Sequence, residues 1–359
     1  MAADTLQAKR LVEHWIQQAK LMPSLPQGND FPKERRLLEQ LIPVKAAGFR
    51  GVVLTAIVGK ALNPSYNPTN DFYACNPRSI FEKGIYYALV EHGVPCGKSD
   101  PLNVAKNARV IDATWAQGRR PESAAMAAVG YIDLLHTNWH DEPYRKQLIL
   151  LFFSRLLEYA EFCQSKNVPL GEFAGATPIQ LAIRLADFVE SCPEGGATPQ
   201  VVVGTLINQL RLDDPDFATV EGAAESVFGT NTTSKKPADI WEVRANGSLG
   251  MLYEITAKPV DTKRIDDCVG SLEALGLTGG MVTFICRLPQ DTAGLRTENQ
   301  TLIHLGTAFQ FLDMRSFILQ IFCALKPEQQ ERVIHVTDAF VKETNRKTQA
   351  KEGWANLFG

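Results

Sequence analysis

Between residues 238 and 259 the apolar and polar positions describe two short strands. Trp241 and Val243 on one arm, and Leu252, Tyr253 and Ile255 on the other, flank Asn246-Gly247. That dipeptide is a strong short-range signal for a two-residue hairpin turn. A tight turn fixes which residues face each other. With Ala245 facing Ser248, counting outward in pairs sets Asp239 opposite Glu254. Period-two alternation then puts Thr256 and Lys258 on the face of Glu254. Asp261 or Thr262 can cap a following helix whose apolar positions Ile265, Cys268, Val269, Leu272 and Leu275 share one side. Gly276 and Gly279-Gly280 stop it, and 281–288 is a nearly continuous apolar run, as expected of a strand buried on both faces. Strand, helix and buried strand make a βαβ unit, which places Glu254 and Lys258 towards the C-terminal end of a central strand.

The first two-thirds of the chain has a helical period. The pattern predicts helices over 5–22, 32–41, 51–62, 76–91, 122–137 and 142–165, with 63–75 as loop. Asn76-Pro77, Thr177-Pro178 and Thr198-Pro199 each combine a capping side chain with proline at the first turn. An acidic turn over 211–216 marks the expected domain boundary. A short helix over 220–228, the hairpin unit, a strand around 309–312 and helices from Arg315 broken at Pro327 complete the chain. The expected class is α+β: a mostly helical region over 1–215, and a mixed-sheet α/β core with C-terminal helices over 216–359.

Composition narrows this only a little. At 359 residues, 45% hydrophobic and 21% charged, the chain has room for two domains. It shows no signal peptide and no apolar run of about 18 residues, so a cytoplasmic location is expected. Seven cysteines, odd in number and never spaced as a CxxC pair, fit reduced thiols rather than a zinc site. Net charge is −3, but residues 76–120 hold seven Lys/Arg against four Asp/Glu, and 232–264 hold six against four. A basic face on an acidic body fits that distribution.

Two blocks carry candidate chemistry. Carboxylates facing each other across a hairpin have β-carbons roughly 4.5–5.5 Å apart and repel unless a cation lies between them. Mg²⁺, which takes carboxylate oxygens at about 2.0–2.1 Å, would occupy that gap between Asp239 and Glu254. Glu225, just before the hairpin, is a candidate further ligand or base. The other block, 76–107, is a capped helix followed by a Pro- and Gly-containing loop with Arg78, Lys98, Asn103 and Lys106. Arg, Lys and Asn are side chains that read base edges and hold phosphates.

Both blocks resemble type II restriction endonucleases of the SacI-like family, within the PD-(D/E)xK nuclease superfamily. The first is similar to that family's P-R-S-I-x-E-K helix start, here Pro77, Arg78, Ser79, Ile80, Glu82 and Lys83, and to its P-[LI]-N loop, here Pro101, Leu102 and Asn103. The second is similar to its Asp-strand followed by E-x-x-x-K, here Asp239, Glu254 and Lys258. The similarity covers about a fifth of the chain. It implies Mg²⁺-dependent cleavage of double-stranded DNA at a short sequence, with Asp239 and Glu254 as metal ligands and Lys258 as the catalytic cation. The superfamily's commoner pattern has lysine two residues after the glutamate, where this chain has Thr256. Four residues of strand span about 13 Å, so Lys258 shares a phosphate with Glu254 only if the strand bends; Lys236 and Lys263 are alternative cations. Cutting both strands of a palindrome implies a two-fold homodimer. The apolar C-terminal helices, with Phe317, Ile318, Ile321, Phe322, Phe340, Trp354 and Phe358, are an expected interface or else pack on the catalytic sheet. The competing function is a non-catalytic DNA-binding or helical interaction protein with a decayed nuclease core.

Overall fold

The structure, a computed structural model, describes residues 2–21, 31–171, 175–223, 236–277 and 279–359. The chain forms two compact units, one of Met1–Asn167 with Glu343–Lys347 and one of Val168–Lys342 with Thr348–Gly359. The division therefore falls at 167/168, not at the acidic turn near 215. The two helices between these points belong to the second unit because their apolar sides pack on its sheet.

The first unit is helical among its described residues. Its helices are α1 (Ala2–Leu21), α2 (Pro32–Leu41), α3 (Ala47–Leu62), α4 (Pro77–Ile80), α5 (Tyr86–Glu91), α6 (Asp100–Ala105), α7 (Ala113–Ala116), α8 (Glu122–Thr137) and α9 (Glu142–Ser165). Helix α3 is apolar all round because it is the core element: Val52, Val53, Leu54, Ile57 and Val58 are all buried. A π-helical turn, Phe81–Ile85, joins α4 to α5, so the helix opened at Asn76 continues to Glu91 as expected. Asn76 caps it, accepting from the Ser79 amide at 3.4 Å.

The second unit is a mixed α+β layer structure. Strands β1 (Phe217–Glu221), β2 (Ile240–Arg244), β3 (Leu249–Ile255), β4 (Met281–Cys286), β5 (Thr301–His304) and β6 (Thr307–Asp313) form a six-stranded sheet in the order β1-β2-β3-β4-β6-β5. The β3, β4 and β6 neighbours run parallel, and the outer pairings are antiparallel. Helices α10 (Pro178–Ser191), α11 (Ala197–Arg211), α12 (Thr262–Ala274), α13 (Met314–Ala324), α14 (Pro327–Lys342) and α15 (Thr348–Phe358) surround it. Helix α12 places Ile265, Cys268, Val269 and Leu272 in one core with Trp241, Leu252, Val282 and Phe284. The opposite core joins Ile240, Tyr253, Ile255 and Ile285 to α10, α11 and α13–α15. Central strand β4 is thus covered on both sides, which is why its sequence does not alternate.

Three expectations change. Residues 217–221 are an edge strand rather than the start of a helix over 220–228; the rest of that segment, 224–228, lies outside the described residues. Helix α11 begins at Ala197 behind Gly196, and Thr198 is buried in its first turn instead of capping it. The apolar C-terminal side chains Ile318, Phe322, Phe340, Trp354 and Phe358 are buried inside the second unit, with Phe317 and Ile321 packed against them. They are core, so these residues do not supply a free dimer face. No helix among the described residues is long and apolar enough to cross a membrane.

Candidate active site

The hairpin brings Asp239 and Glu254 together through two irregularities that cancel. Its loop has three residues rather than two: Arg244 donates to the Ser248 carbonyl at 2.8 Å, and Gly247 sits at φ 81° between them. That shifts the pairing by one, to Val243 opposite Leu249. Further out, a bulge sets Gly250 and Met251 against Glu242 alone, and the pairing becomes Trp241–Leu252 and Ile240–Tyr253. One step beyond, Asp239 lies across from Glu254. The expected pairing is present, reached by a different turn.

Several contacts fix the aspartate. Its Oδ2 accepts from the Ile255 amide at 3.0 Å. Its backbone carbonyl runs so close to Gly222 that a β-carbon there would lie 2.2 Å from the oxygen, and Gly222 has φ 85°. Only glycine meets both demands. Gln200 of α11 donates to the Gly222 carbonyl at 2.5 Å and holds that crossing in place. Glu254 is 3% exposed, on the face of the sheet covered by α12.

The cation between the carboxylates is Arg264, on the first turn of α12. Its Nη2 is 3.3 Å from Glu254 Oε2 and 3.8 Å from Asp239 Oδ2, and its Nη1 donates to Thr256 Oγ1 at 3.1 Å. Sequence reasoning weighed lysines only and passed over it. The available signal was Arg264 standing third in a helix capped by Asp261, a few residues after the strand that carries Glu254. Burial raises the pKa of both carboxyls, Glu254 to about 8 with a further push from the Asp239 charge. The Ile255 amide on Asp239, and Arg264 on both, oppose that rise. Burial also raises the Cys268 thiol beside Glu254, keeping it protonated.

Lys258 does not continue the strand. The chain turns after Thr256, whose hydroxyl accepts from the Lys258 amide at 3.0 Å. Arg287 donates to the Ala257 carbonyl, and the Val260 amide donates to the Asp291 carbonyl at 2.7 Å, so the loop backbone is tied down. The Lys258 side chain is exposed and lines a cleft of about 490 Å³ with Asp239, Glu254, Lys263, Arg264 and Gly196. Lys236 lies near enough to draw the Asp239 pKa down. Glu225 lies outside the described residues. No group of three or more His, Cys, Asp or Glu among the described residues is arranged to hold a metal. Two adjacent carboxylates nonetheless suit Mg²⁺, a hard ion that binds one or two protein carboxylates and keeps several waters or substrate oxygens.

The other predicted residues lie in the first unit. Arg78 is exposed and pairs with Glu82 at 3.8 Å, and Glu82 accepts from Ser99 at 2.9 Å. Lys98 lies over the Tyr87 ring, 5.5 Å from its centroid. Asn103 is one helical turn from Ser99, and its amide donates to the Ser99 carbonyl at 3.0 Å. Lys106 follows Ala105, whose carbonyl accepts from the Tyr73 hydroxyl at 3.0 Å. Arg78, Lys98, Asn103 and Lys106 are all exposed, as is Lys83 on the π-helical turn, and Ser99 links the Arg78–Glu82 pair to the Asn103 backbone within this segment of the first unit. The structure adds two half-exposed rings to it, Tyr73 at 37% and Tyr87 at 44%, which composition alone did not single out. No protein-family model matches the sequence, and no curated protein matches it.

Proposed function

We propose that this chain is a Mg²⁺-dependent endonuclease that hydrolyses phosphodiester bonds of double-stranded DNA at a short specific sequence, as type II restriction enzymes do. The observation that supports it most is the pair of half-buried Asp239 and buried Glu254 on adjacent strands at the wall of a cleft that also holds Lys258, Lys263 and Arg264. Asp239 and Glu254 would hold the ion, which when bound polarises the phosphate and lowers the pKa of an attacking water. The Ile255 amide keeps the Asp239 carboxylate oriented. Lys258 and Lys263 draw the phosphate backbone into the cleft and offset charge that builds on it during attack. The Arg78–Lys106 surface supplies phosphate and base-edge contacts, with Tyr73 and Tyr87 as apolar partners for sugar or base. A double-strand break needs two such sites, so the working unit is a homodimer.

Arg264 also favours a second reading. A carboxylate pair neutralised by an arginine is what a non-catalytic DNA-binding protein with a decayed nuclease core would retain. Incubating the full chain with mixed plasmid DNA separates the two. Discrete fragments with Mg²⁺, and none with EDTA, are expected; intact plasmid under both conditions would favour the decayed core.

The binding surface has its own test. Lys98→Ala and Lys106→Ala should each weaken binding evenly across sequences and lower the log–log salt slope by about one, while Asn103→Ala relaxes sequence choice. Fluorescence anisotropy in Ca²⁺ over a salt series reads both effects. Unchanged slopes and unchanged specificity would make this block scaffold.

A further inference from the structure

We infer that Arg264 is an internal stand-in for the divalent cation, a step that rests on reading Asp239 and Glu254 as a metal site. Without metal its guanidinium neutralises the pair. Metal binding releases it into the cleft, where it becomes a clamp for the DNA phosphate.

The geometry is that of a bridging cation. A single nitrogen, Nη2, stands 3.3 Å from Glu254 and 3.8 Å from Asp239, while Nη1 is held by Thr256. A dication on the same oxygens would sit about 2.0–2.1 Å from them, leaving Nη2 neither room nor favourable charge. One of the two must leave. Arg264 can do so by side-chain rotation alone. Its backbone is anchored, with its amide donating to the capping Asp261 at 2.9 Å, and α12 is packed through Ile265, Cys268 and Val269. Its stem is not enclosed: the side chain is 31% exposed and lines the open cleft. Leaving the pair breaks the Nη2–Glu254 and Nη1–Thr256 hydrogen bonds; the Phe284 ring, its centroid 5.8 Å from the guanidinium carbon, is an apolar backing that adds no further hydrogen bond to break.

The cleft offers the released guanidinium a better destination than water. A phosphodiester accepts the two-pronged donor directly, and Lys258 and Lys263 raise the local phosphate concentration. Metal and DNA then assist each other. The metal frees Arg264 for the phosphate, and the phosphate removes Arg264 from competition with the metal. Such coupling is reciprocal. It would keep the site from loading metal fully until DNA is in the cleft.

Calorimetric titration of the full chain with Ca²⁺, without DNA, tests this independently of cleavage. Arg264→Ala should bind Ca²⁺ about tenfold more tightly than wild type, because its competitor is gone. Arg264→Lys keeps the charge but not the fork, and should tighten binding by about threefold; it also serves as the readable variant if the alanine form does not fold. Adding a random-sequence DNA duplex should tighten Ca²⁺ binding by wild type and leave Arg264→Ala almost unchanged. If wild type binds Ca²⁺ and neither variant binds it more tightly, Arg264 is not a competitor and the inference fails alone. If neither wild type nor any variant binds Ca²⁺, the metal-site reading fails and takes the inference with it.

Discussion

Asp239→Asn and Glu254→Ala should each slow DNA cleavage at least about a thousandfold while leaving sequence-specific binding in place. Losing roughly 4 kcal/mol of transition-state stabilisation, a reasonable share for one of two metal ligands, corresponds to that factor. The choice of substitution at 239 matters. Asp239→Ala would also strand the Ile255 amide that donates to the carboxylate at 3.0 Å, a buried donor whose loss of partner costs about 1–3 kcal/mol. Asparagine keeps an acceptor there and isolates the chemistry. The pair of measurements is therefore cleavage rate and thermal midpoint: Asp239→Asn slow and well folded, Asp239→Ala slow and less stable. A variant of either residue that cuts within a few-fold of wild type would remove these carboxylates from the mechanism.

Glu254→Gln should change how stability responds to pH. In the metal-free fold the Glu254 pKa rises from 4.5 to about 8, so the folded state keeps a proton that the unfolded chain has released. Stability then falls as pH rises from about 4.5 to about 8 and levels off above that, the reverse of an ordinary ion-paired carboxylate. Asp239 shifts in the same direction and adds to the slope. Glutamine has no proton to lose. In EDTA the variant should match wild type near pH 5 and exceed it above pH 8 by on the order of 3 kcal/mol. Urea midpoints across this range read the difference. Parallel curves for the two proteins would show that Glu254 titrates normally.

How much of this was legible in sequence depended on whether the determining contacts were local. Helix starts with a capping side chain and an early proline, such as Asn76 before α4 and Thr177 before α10, are written in neighbouring residues and came out where expected. Strand β4 was legible because burial on both faces leaves a continuous apolar run. Edge strands β1 and β5 were not: each is short, half-solvated and held by a single neighbour, so little in its composition demands a strand. The Asp239–Glu254 pairing was read for an incomplete reason, since the assumed two-residue turn is a three-residue loop corrected by a bulge. Arg264 was missed because its role arises from α12 returning over the end of β3, a tertiary event that no spacing rule encodes. The C-terminal aromatics show the opposite limit. Apolar content cannot distinguish a face that meets another molecule from one that closes the molecule's own core, and here they close it.

The bulge at Gly250 and Met251 also separates two jobs that a hairpin usually joins. Outside it, the pairing is held by Trp241 and Leu252 in one core and Ile240 and Tyr253 in the other, so the carboxylates take their alignment from the body of the sheet. The tip over 244–248 is solvent-facing, is held by its own turn and by edge strand β1, and lines no part of the cleft that carries the carboxylates. Lineages could lengthen, shorten or decorate that tip without retuning the site. It is equally the place where an engineer could graft a reporter or a second recognition module.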